Sequence, residues 1–129
     1  MLTHVNVLTG KIIGAAIEVH RHLGPGLLES AYHLCLAREL EMNGIPFRSK
    51  WPLPLEYKGI RVKKAYAIDL LVADTVVVEV KSLTALAPIH EAQLLTYMRL
   101  AELKVGLLMN FNEVILKNGI RRRVLGLEE

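Results

Sequence analysis

Three charged residues lie in otherwise apolar, strand-like segments of the chain: Asp69, Glu79 and Lys81. An ionised group in such a strand is costly to bury unless it has a partner. Glu79 and Lys81 are two residues apart, so both side chains leave the same face of a strand, and Asp69 lies on the preceding strand of a predicted hairpin. Two carboxylates that converge from neighbouring strands form a hard-oxygen site suited to Mg²⁺ or Mn²⁺. A lysine beside them can orient a water molecule and offset negative charge that develops on a phosphoryl group.

The loop between the two strands determines whether these carboxylates meet. A two-residue loop at Asp74-Thr75 would place Asp69 opposite Val80 and would direct Glu79 to the other face of the sheet. A shared site therefore requires an odd-length loop or a bulge, and we predict one of these. The same residues also fit a different interpretation, in which the glutamate and the lysine form a structural ion pair and the aspartate belongs to a solvated turn.

Two predicted helices carry further polar residues at helical spacing. Glu29 and Tyr32 are three residues apart, and Glu29 is either a carboxylate favoured by the helix N-terminus or a third carboxylate that reaches the metal directly or through water. His90, Gln93 and Tyr97 lie along one stripe of a later helix. The Gln93 amide can hold a water or a phosphate oxygen, and the Tyr97 hydroxyl can donate to a phosphate. The stripe also fits the polar edge of an ordinary amphipathic helix.

The elements that position these residues follow from the apolar pattern. It predicts the order α-α-β-β-β-β-α-β-β, which is an α/β or α+β domain with a central mixed β-sheet. The predicted helices cover residues 5–23, 27–42 and 88–103, and the predicted strands cover 53–57, 60–62, 66–73, 76–81, 105–111 and 119–125. Strands 66–73 and 76–81 are apolar on both faces, as expected in the middle of a covered sheet. The last strand carries three arginines and is predicted to lie at an edge.

Composition narrows the class of protein. A length of 129 residues fits one domain over residues 1–129, and 52% apolar with 22% charged residues is typical of a globular chain. A net charge of +3 is compatible with a polyanionic partner without requiring one. The single cysteine excludes an intrachain disulfide and a cysteine-rich metal site. No signal-peptide pattern and no apolar run of about 20 residues is present, so we expect a soluble cytoplasmic protein without a membrane partner.

Several segments together resemble the GxxExxY proteins, a branch of the PD-(D/E)XK nuclease superfamily. The signature residues are Gly26, Glu29 and Tyr32. The resemblance covers nearly the whole chain, through VHRHLGPGLLE at 19–29, YAIDLLVADTVVVEVK at 66–81, HEAQLLTY at 90–97 and VGLLMNF at 105–111. One position departs from the pattern, since Ile68 precedes the aspartate where the superfamily motif has proline.

The resemblance implies a restriction-endonuclease-like core, with a mixed sheet flanked by helices and the acidic hairpin in its middle. It implies that Asp69 and Glu79 bind a divalent metal and that Lys81 is the motif lysine. Glu29 resembles the helical acid of the exonuclease and resolvase branches. Gln93, together with the tyrosine one turn later, resembles the glutamine-and-tyrosine helix motif of the exonuclease-like branch.

The mechanism implied is metal-dependent hydrolysis of phosphodiester bonds in nucleic acid, with DNA as the expected substrate ahead of RNA. The carbonyl of Val80 completes the expected Mg²⁺ or Mn²⁺ site beside the two strand carboxylates and Glu29. Tyr32 and His90 join Gln93 and Tyr97 as the expected nucleic-acid-binding set. One alternative is a catalytically silent nuclease-fold module for nucleic-acid binding or assembly, whose surface a partner or a homo-oligomer would extend. The other is a small-molecule-binding α/β domain without a divalent-metal site.

Overall fold

The computed structural model describes residues 2–126, with all of their side chains except those of residues 2, 64 and 65. The elements follow the predicted order closely. The helices are α1 (Leu2–Leu23), α2 (Glu29–Met42) and α3 (Pro88–Ala101), and the strands are β1 (Phe47–Tyr57), β2 (Ile60–Val72), β3 (Val76–Lys81), β4 (Val105–Asn110) and β5 (Ile120–Val124), with a short 3-10 helix at Leu116–Gly119 before β5.

The described strands form one mixed sheet in the order β1-β2-β3-β4-β5. Strand β3 pairs in parallel with β4, and the other neighbouring pairs are antiparallel. A parallel pair needs a crossover connection, and α3 lies in that connection. The predicted α+β class is confirmed, the acidic hairpin β2–β3 lies inside the sheet, and the arginine-bearing strand β5 is at an edge, as predicted.

Helices cover both faces of the sheet. The larger apolar cluster joins α1 and α2 to one face, where Leu36 packs with Val78 and Leu107. The smaller cluster joins α3 to the opposite face, where Leu94 packs with Val77. Alternate side chains of β3 therefore enter different clusters, which explains why this strand is apolar on both sides.

The structure differs from the predicted order in one respect, because the segments predicted as strands 60–62 and 66–73 form the single strand β2. Pairing with β1 continues across the junction, with Tyr66 opposite Leu53 and Val62 opposite Leu55. A register shift between Leu53 and Leu55 absorbs the irregularity, as a β-bulge does. The strand continues through the polar stretch between the two segments, and β2 is paired with β1 on both sides of it.

The length and hydropathy of the helices bear on membrane insertion. Across residues 2–126, no helix combines the length and the apolar character that a bilayer span requires.

Candidate active site

A three-residue loop connects the two strands of the acidic hairpin. Val72 pairs with Val76, so the loop consists of residues 73–75. Ala73 and Asp74 both adopt left-handed backbone conformations, with φ of 52° and 51°. The predicted odd-length loop is therefore confirmed. Because the register also pairs Leu70 with Val78, the residues that follow outward, Asp69 and Glu79, face each other on the same side of the sheet.

The two carboxylates are joined by reciprocal hydrogen bonds. The backbone N–H of Asp69 donates to Oε2 of Glu79 at 2.8 Å, and the backbone N–H of Val80 donates to Oδ2 of Asp69 at 2.8 Å. The paired register of β2 and β3 extends only as far as Leu70 and Val78, so these side chains take over where the backbone ladder ends. Each carboxylate thus has one oxygen fixed by the backbone of the neighbouring strand.

The glutamate of this pair is in an unfavourable place for a negative charge. Its side chain is only 3% exposed. Burial, followed by the neighbouring charge of Asp69, raises the pKa of Glu79 to about 8, although the Asp69 N–H and the Lys81 ammonium act in the opposite direction. A cation bound between the two carboxylates would remove the repulsion that contributes to this shift.

Helix α3 brings its predicted polar stripe to the same face. Nζ of Lys81 donates to Oε1 of Gln93 at 3.3 Å. Tyr97 is nearly buried, and burial followed by the charges of Glu79 and Asp69 raises the pKa of its hydroxyl. The structure therefore gathers the acidic pair, the lysine, the glutamine and the tyrosine at one place, although their catalytic roles stay predictions.

Glu29 stands apart from this group. It is the first residue of α2 and is exposed, and its charge is the smallest of the causes that shift the pKa of Glu79. No three His, Cys, Asp or Glu side chains within residues 2–126 form a group that could hold a metal ion. Glu29 is therefore not gathered with both strand carboxylates as a third direct ligand, while a contact through water stays a prediction, as does ligation by the Val80 carbonyl.

Tyr32 has a structural place that its predicted contact with nucleic acid did not anticipate. Its side chain is fully buried and its ring stacks on Phe111, with centroids 4.8 Å apart. The hydroxyl donates to the Gly24 carbonyl at 2.6 Å and accepts from the Leu27 N–H at 3.1 Å. The prediction is corrected accordingly: Tyr32 holds the turn between α1 and α2, and a fully buried ring has no surface to offer a nucleic acid.

His90 contributes to the start of α3. Its side-chain Nδ1 accepts a hydrogen bond from the backbone N–H of Ala87 at 2.8 Å, and its backbone N–H donates to the Ala87 carbonyl at 2.9 Å. These bonds satisfy backbone groups at the helix N-terminus and so help to fix the helix that carries Gln93. A direct contact of His90 with nucleic acid stays a prediction.

Lys50 is a further cation at the site that was not predicted from the sequence. This residue lies on β1 opposite Asp69, between the pairs Ser49–Leu70 and Trp51–Ile68, and its Nζ is 3.8 Å from Oδ1 of Asp69. Its φ of 54° is unusual for a non-glycine residue in a strand, and such strained positions cluster at functional sites. Only the β1–β2 register reveals this neighbour, because Lys50 and Asp69 are distant in sequence.

A buried histidine supports the same region from the α2 side. Nε2 of His33 and the Ser49 hydroxyl are 2.6 Å apart. Burial, followed by the charge of Lys50, lowers the pKa of His33, and the charge of Asp69 opposes the shift. Neutral His33 therefore packs beside the strand without adding a positive charge near the carboxylates.

Asn110 is another residue that the sequence analysis did not single out. It is fully buried at the end of β4, opposite Lys81 in the parallel register. Its amide binds both the N–H and the carbonyl of Leu83, at 2.9 and 3.0 Å. Asn110 therefore fixes the segment that leaves β3 and helps to position the lysine.

Together, the mixed sheet, the flanking helices and the acidic hairpin with its lysine define an α+β domain of the restriction-endonuclease-like class. The family model of the PD-(D/E)XK nuclease superfamily matches residues 6–123. The chain belongs to this superfamily, whose nuclease chemistry implies a nucleic-acid substrate. No curated protein and no solved structure matches the chain significantly. The superfamily and the fold implied by the sequence motifs are thus confirmed.

Proposed function

We propose that this protein is a metal-dependent nuclease of the GxxExxY branch that hydrolyses phosphodiester bonds, with DNA as its expected substrate. One observation carries the proposal: Asp69 and Glu79 are locked together by reciprocal bonds from the opposite backbone, beside Lys81. A purely structural ion pair would not require the second carboxylate, which raises the electrostatic cost of the first.

The donor set fits Mg²⁺ or Mn²⁺. Asp69 and Glu79 provide carboxylate oxygens, which these hard cations prefer, and one oxygen of each is already oriented by a backbone N–H. These two residues, with the Val80 carbonyl, would hold the ion, and Glu29 would contribute through water. When bound, the ion polarises a phosphoryl oxygen and lowers the pKa of a water molecule.

The chain's own side chains orient the reacting groups. The Lys81 ammonium, which donates to the Gln93 amide, holds the attacking water and offsets charge on the phosphoryl oxygens. The raised pKa of Tyr97 keeps its hydroxyl protonated, so that it can donate to a phosphate oxygen of the scissile strand. Gln93 thus has two functions, since it fixes the lysine and presents an amide to the substrate.

Replacement of Lys81 tests this proposal most directly. We expect Lys81→Ala to lower the cleavage rate at least about 100-fold, because a preorganised cation at the phosphoryl group is lost. Cleavage should be followed with Mn²⁺ on single-stranded, duplex and branched DNA and on RNA, while calorimetric Mn²⁺ titration shows that the variant still binds metal. The exposed lysine variant Lys104→Ala is the matched control. Undiminished cleavage by Lys81→Ala would exclude the assigned role.

The placement of Glu29 favours a second candidate, a nuclease-fold module that binds nucleic acid without cutting it. Only two carboxylates are gathered at the site among residues 2–126. This candidate predicts binding of nucleic acid without cleavage in any divalent metal. Titration of Mn²⁺ into wild type and Asp69→Asn tests the metal site itself, and the absence of binding to wild type would contradict both the proposed metal site and the proposed chemistry.

A further inference from the structure

Strands β1 and β2 continue well beyond the point where β3 ends its pairing with β2. From Trp51 to Ile68 they form a two-stranded extension closed by the turn at Lys58-Gly59, which we name the β1–β2 ribbon. Its tip, residues 56–63, is exposed throughout. The base is anchored, because Leu53 and Ile68 are buried in the cluster beneath α3.

The net charge of the whole chain resides on this ribbon. Residues 51–68 contain four of the 16 Lys and Arg residues and one of the 13 Asp and Glu residues. The rest of the chain therefore carries twelve of each sign and is formally neutral. A basic extension on an otherwise neutral protein is the electrostatic pattern expected of a polyanion-binding element.

The exposed aromatic side chains of residues 2–126 are on the same ribbon. They are Trp51, Tyr57 and Tyr66, with 39%, 60% and 48% exposure. The remaining Phe and Tyr side chains are buried or half-buried. Aromatic faces interleaved with cations are the combination that binds single strands, because bases stack on the rings while the cations contact phosphates.

The ribbon leads directly into the candidate active site. The ring of Tyr66 lies against the ring of Tyr97, with centroids 5.9 Å apart. At the base of the ribbon, Lys50 approaches Asp69 to 3.8 Å. A nucleic-acid strand laid along the ribbon would therefore end beside the acidic pair.

Strand β1 is poorly suited to pair with a second copy of the chain. It is an edge strand of the sheet and contains Pro52 and Pro54. Proline has no N–H to donate to a further strand, and such residues protect edges against strand addition. The exposure of β1 is thus better explained by a ligand that contacts the side chains of the strand than by one that pairs with its backbone. A nucleic acid is a ligand of this kind.

We propose that the β1–β2 ribbon binds single-stranded nucleic acid and guides it to the acidic hairpin, an inference that rests on the proposed nuclease function. The ribbon cations contact the phosphates and the exposed rings stack on the bases. DNA and RNA share this chemistry, and both are used in the test.

Binding can be measured separately from cleavage by fluorescence anisotropy in EDTA, with oligonucleotides of about 12 nucleotides as single strands and as duplexes. The ribbon variant is Lys58→Ala/Arg61→Ala/Lys63→Ala. Its matched control is Lys11→Ala/Lys104→Ala/Lys117→Ala, which removes the same charge from exposed positions outside the ribbon. Tyr57→Ala tests stacking, and thermal unfolding shows whether each variant is folded.

We expect the ribbon variant to bind single strands at least about tenfold more weakly than the control variant. The slope of log binding constant against log salt concentration should also be smaller by about 2. Tyr57→Ala should lose about tenfold on single strands and little on duplexes. Equal losses in the two triple variants would overturn the proposal, as would equal losses of Tyr57→Ala on single strands and duplexes. The proposal would also be overturned if wild type sediments as a dimer and the ribbon variant as a monomer, because the ribbon would then be a self-association surface.

Cleavage assays in Mn²⁺ keep this inference distinct from the proposed function. If the wild-type protein binds through the ribbon but never cleaves, the proposed role of the ribbon is supported and the proposed nuclease function is contradicted. Cleavage by a protein whose affinity does not depend on the ribbon contradicts the ribbon alone.

Discussion

At the scale of single residues, the acidic pair combines a favourable geometry with an unfavourable charge. Backbone N–H groups hold one oxygen of Asp69 and one of Glu79, which orients both carboxylates before any ligand arrives. Burial and mutual repulsion nevertheless oppose the ionised form of Glu79. The state with both carboxylates ionised is the best prepared to bind a cation, and it is thus expected to be the least stable. Such a conflict is typical of functional sites.

The pH dependence of stability follows from this conflict. The pKa of Glu79 is raised from 4.5 to about 8 on folding. Between these values the folded state binds a proton that the unfolded state has lost, so the stabilising contribution is complete below the lower value and declines as pH rises towards the upper one. In EDTA we expect the free energy of unfolding to fall by up to about 1.4 kcal/mol per pH unit in this range.

Urea unfolding of wild type and Glu79→Gln at several pH values measures this effect. The neutral amide should flatten the decline, whereas the exposed control Glu56→Gln should follow wild type. If the free energy of unfolding depends on pH equally in Glu79→Gln and wild type, the assignment of this dependence to Glu79 is contradicted. Saturating Mn²⁺ should restore stability to wild type at high pH, because the ion binds only the folded state.

At the scale of elements, α3 is held close to the sheet by a glycine. A Cβ added to Gly106 of β4 would lie 2.6 Å from Sδ of Met98 and 2.9 Å from Cδ1 of Leu94. Both partners belong to α3, which also carries Gln93 and Tyr97. The distance between this helix and the sheet therefore controls how the glutamine meets Lys81.

Substitution of this glycine should affect both stability and activity. We expect Gly106→Ala to lower the free energy of unfolding by about 1–3 kcal/mol, because the helix or its side chains must shift. Gly14→Ala is the control, since a Cβ there meets nothing within 4 Å and a helix interior gains about 0.5–1 kcal/mol from the change. Urea unfolding and cleavage assays compare the two variants. Unchanged stability and cleavage in Gly106→Ala would exclude the close packing of α3 against this glycine.

At the scale of the whole molecule, one sheet links two apolar clusters, with α1 and α2 on one side and α3 on the other. Strand β2 belongs to both, because Leu70 faces the larger cluster and Leu71 the smaller. The base of the ribbon is buried in the smaller cluster. Within residues 2–126 both layers share this one sheet, so we propose that the chain is a single cooperative domain.

Unfolding monitored by two probes tests this cooperativity. Trp51 is the only tryptophan and lies at the base of the ribbon. Its fluorescence should change at the same urea concentration as the far-UV circular dichroism, since ribbon and core share buried residues. An earlier fluorescence transition would show that the ribbon melts separately. Tyr57→Ala, at the exposed tip, should leave both midpoints nearly unchanged.

Residue types and periodicity were sufficient to predict the helices, the edge position of β5 and the acidic hairpin in the middle of the sheet. These features depend on local patterns, because an apolar stripe or a doubly apolar strand is visible within a single segment. The requirement for an odd loop also followed from sequence, since side chains alternate along a strand. The family resemblance, which includes the segment of the acidic hairpin, correctly indicated the superfamily.

Contacts between distant segments required the tertiary structure. Pairing with β1 joined the two predicted strands into β2, brought Lys50 to Asp69 and extended the ribbon on which the net charge resides. Packing between α2 and the end of β4 buried Tyr32 against Phe111. Periodicity assigns a side chain to a face of its own element, but the neighbour that it meets depends on register and on helix–sheet distance, which no local pattern encodes.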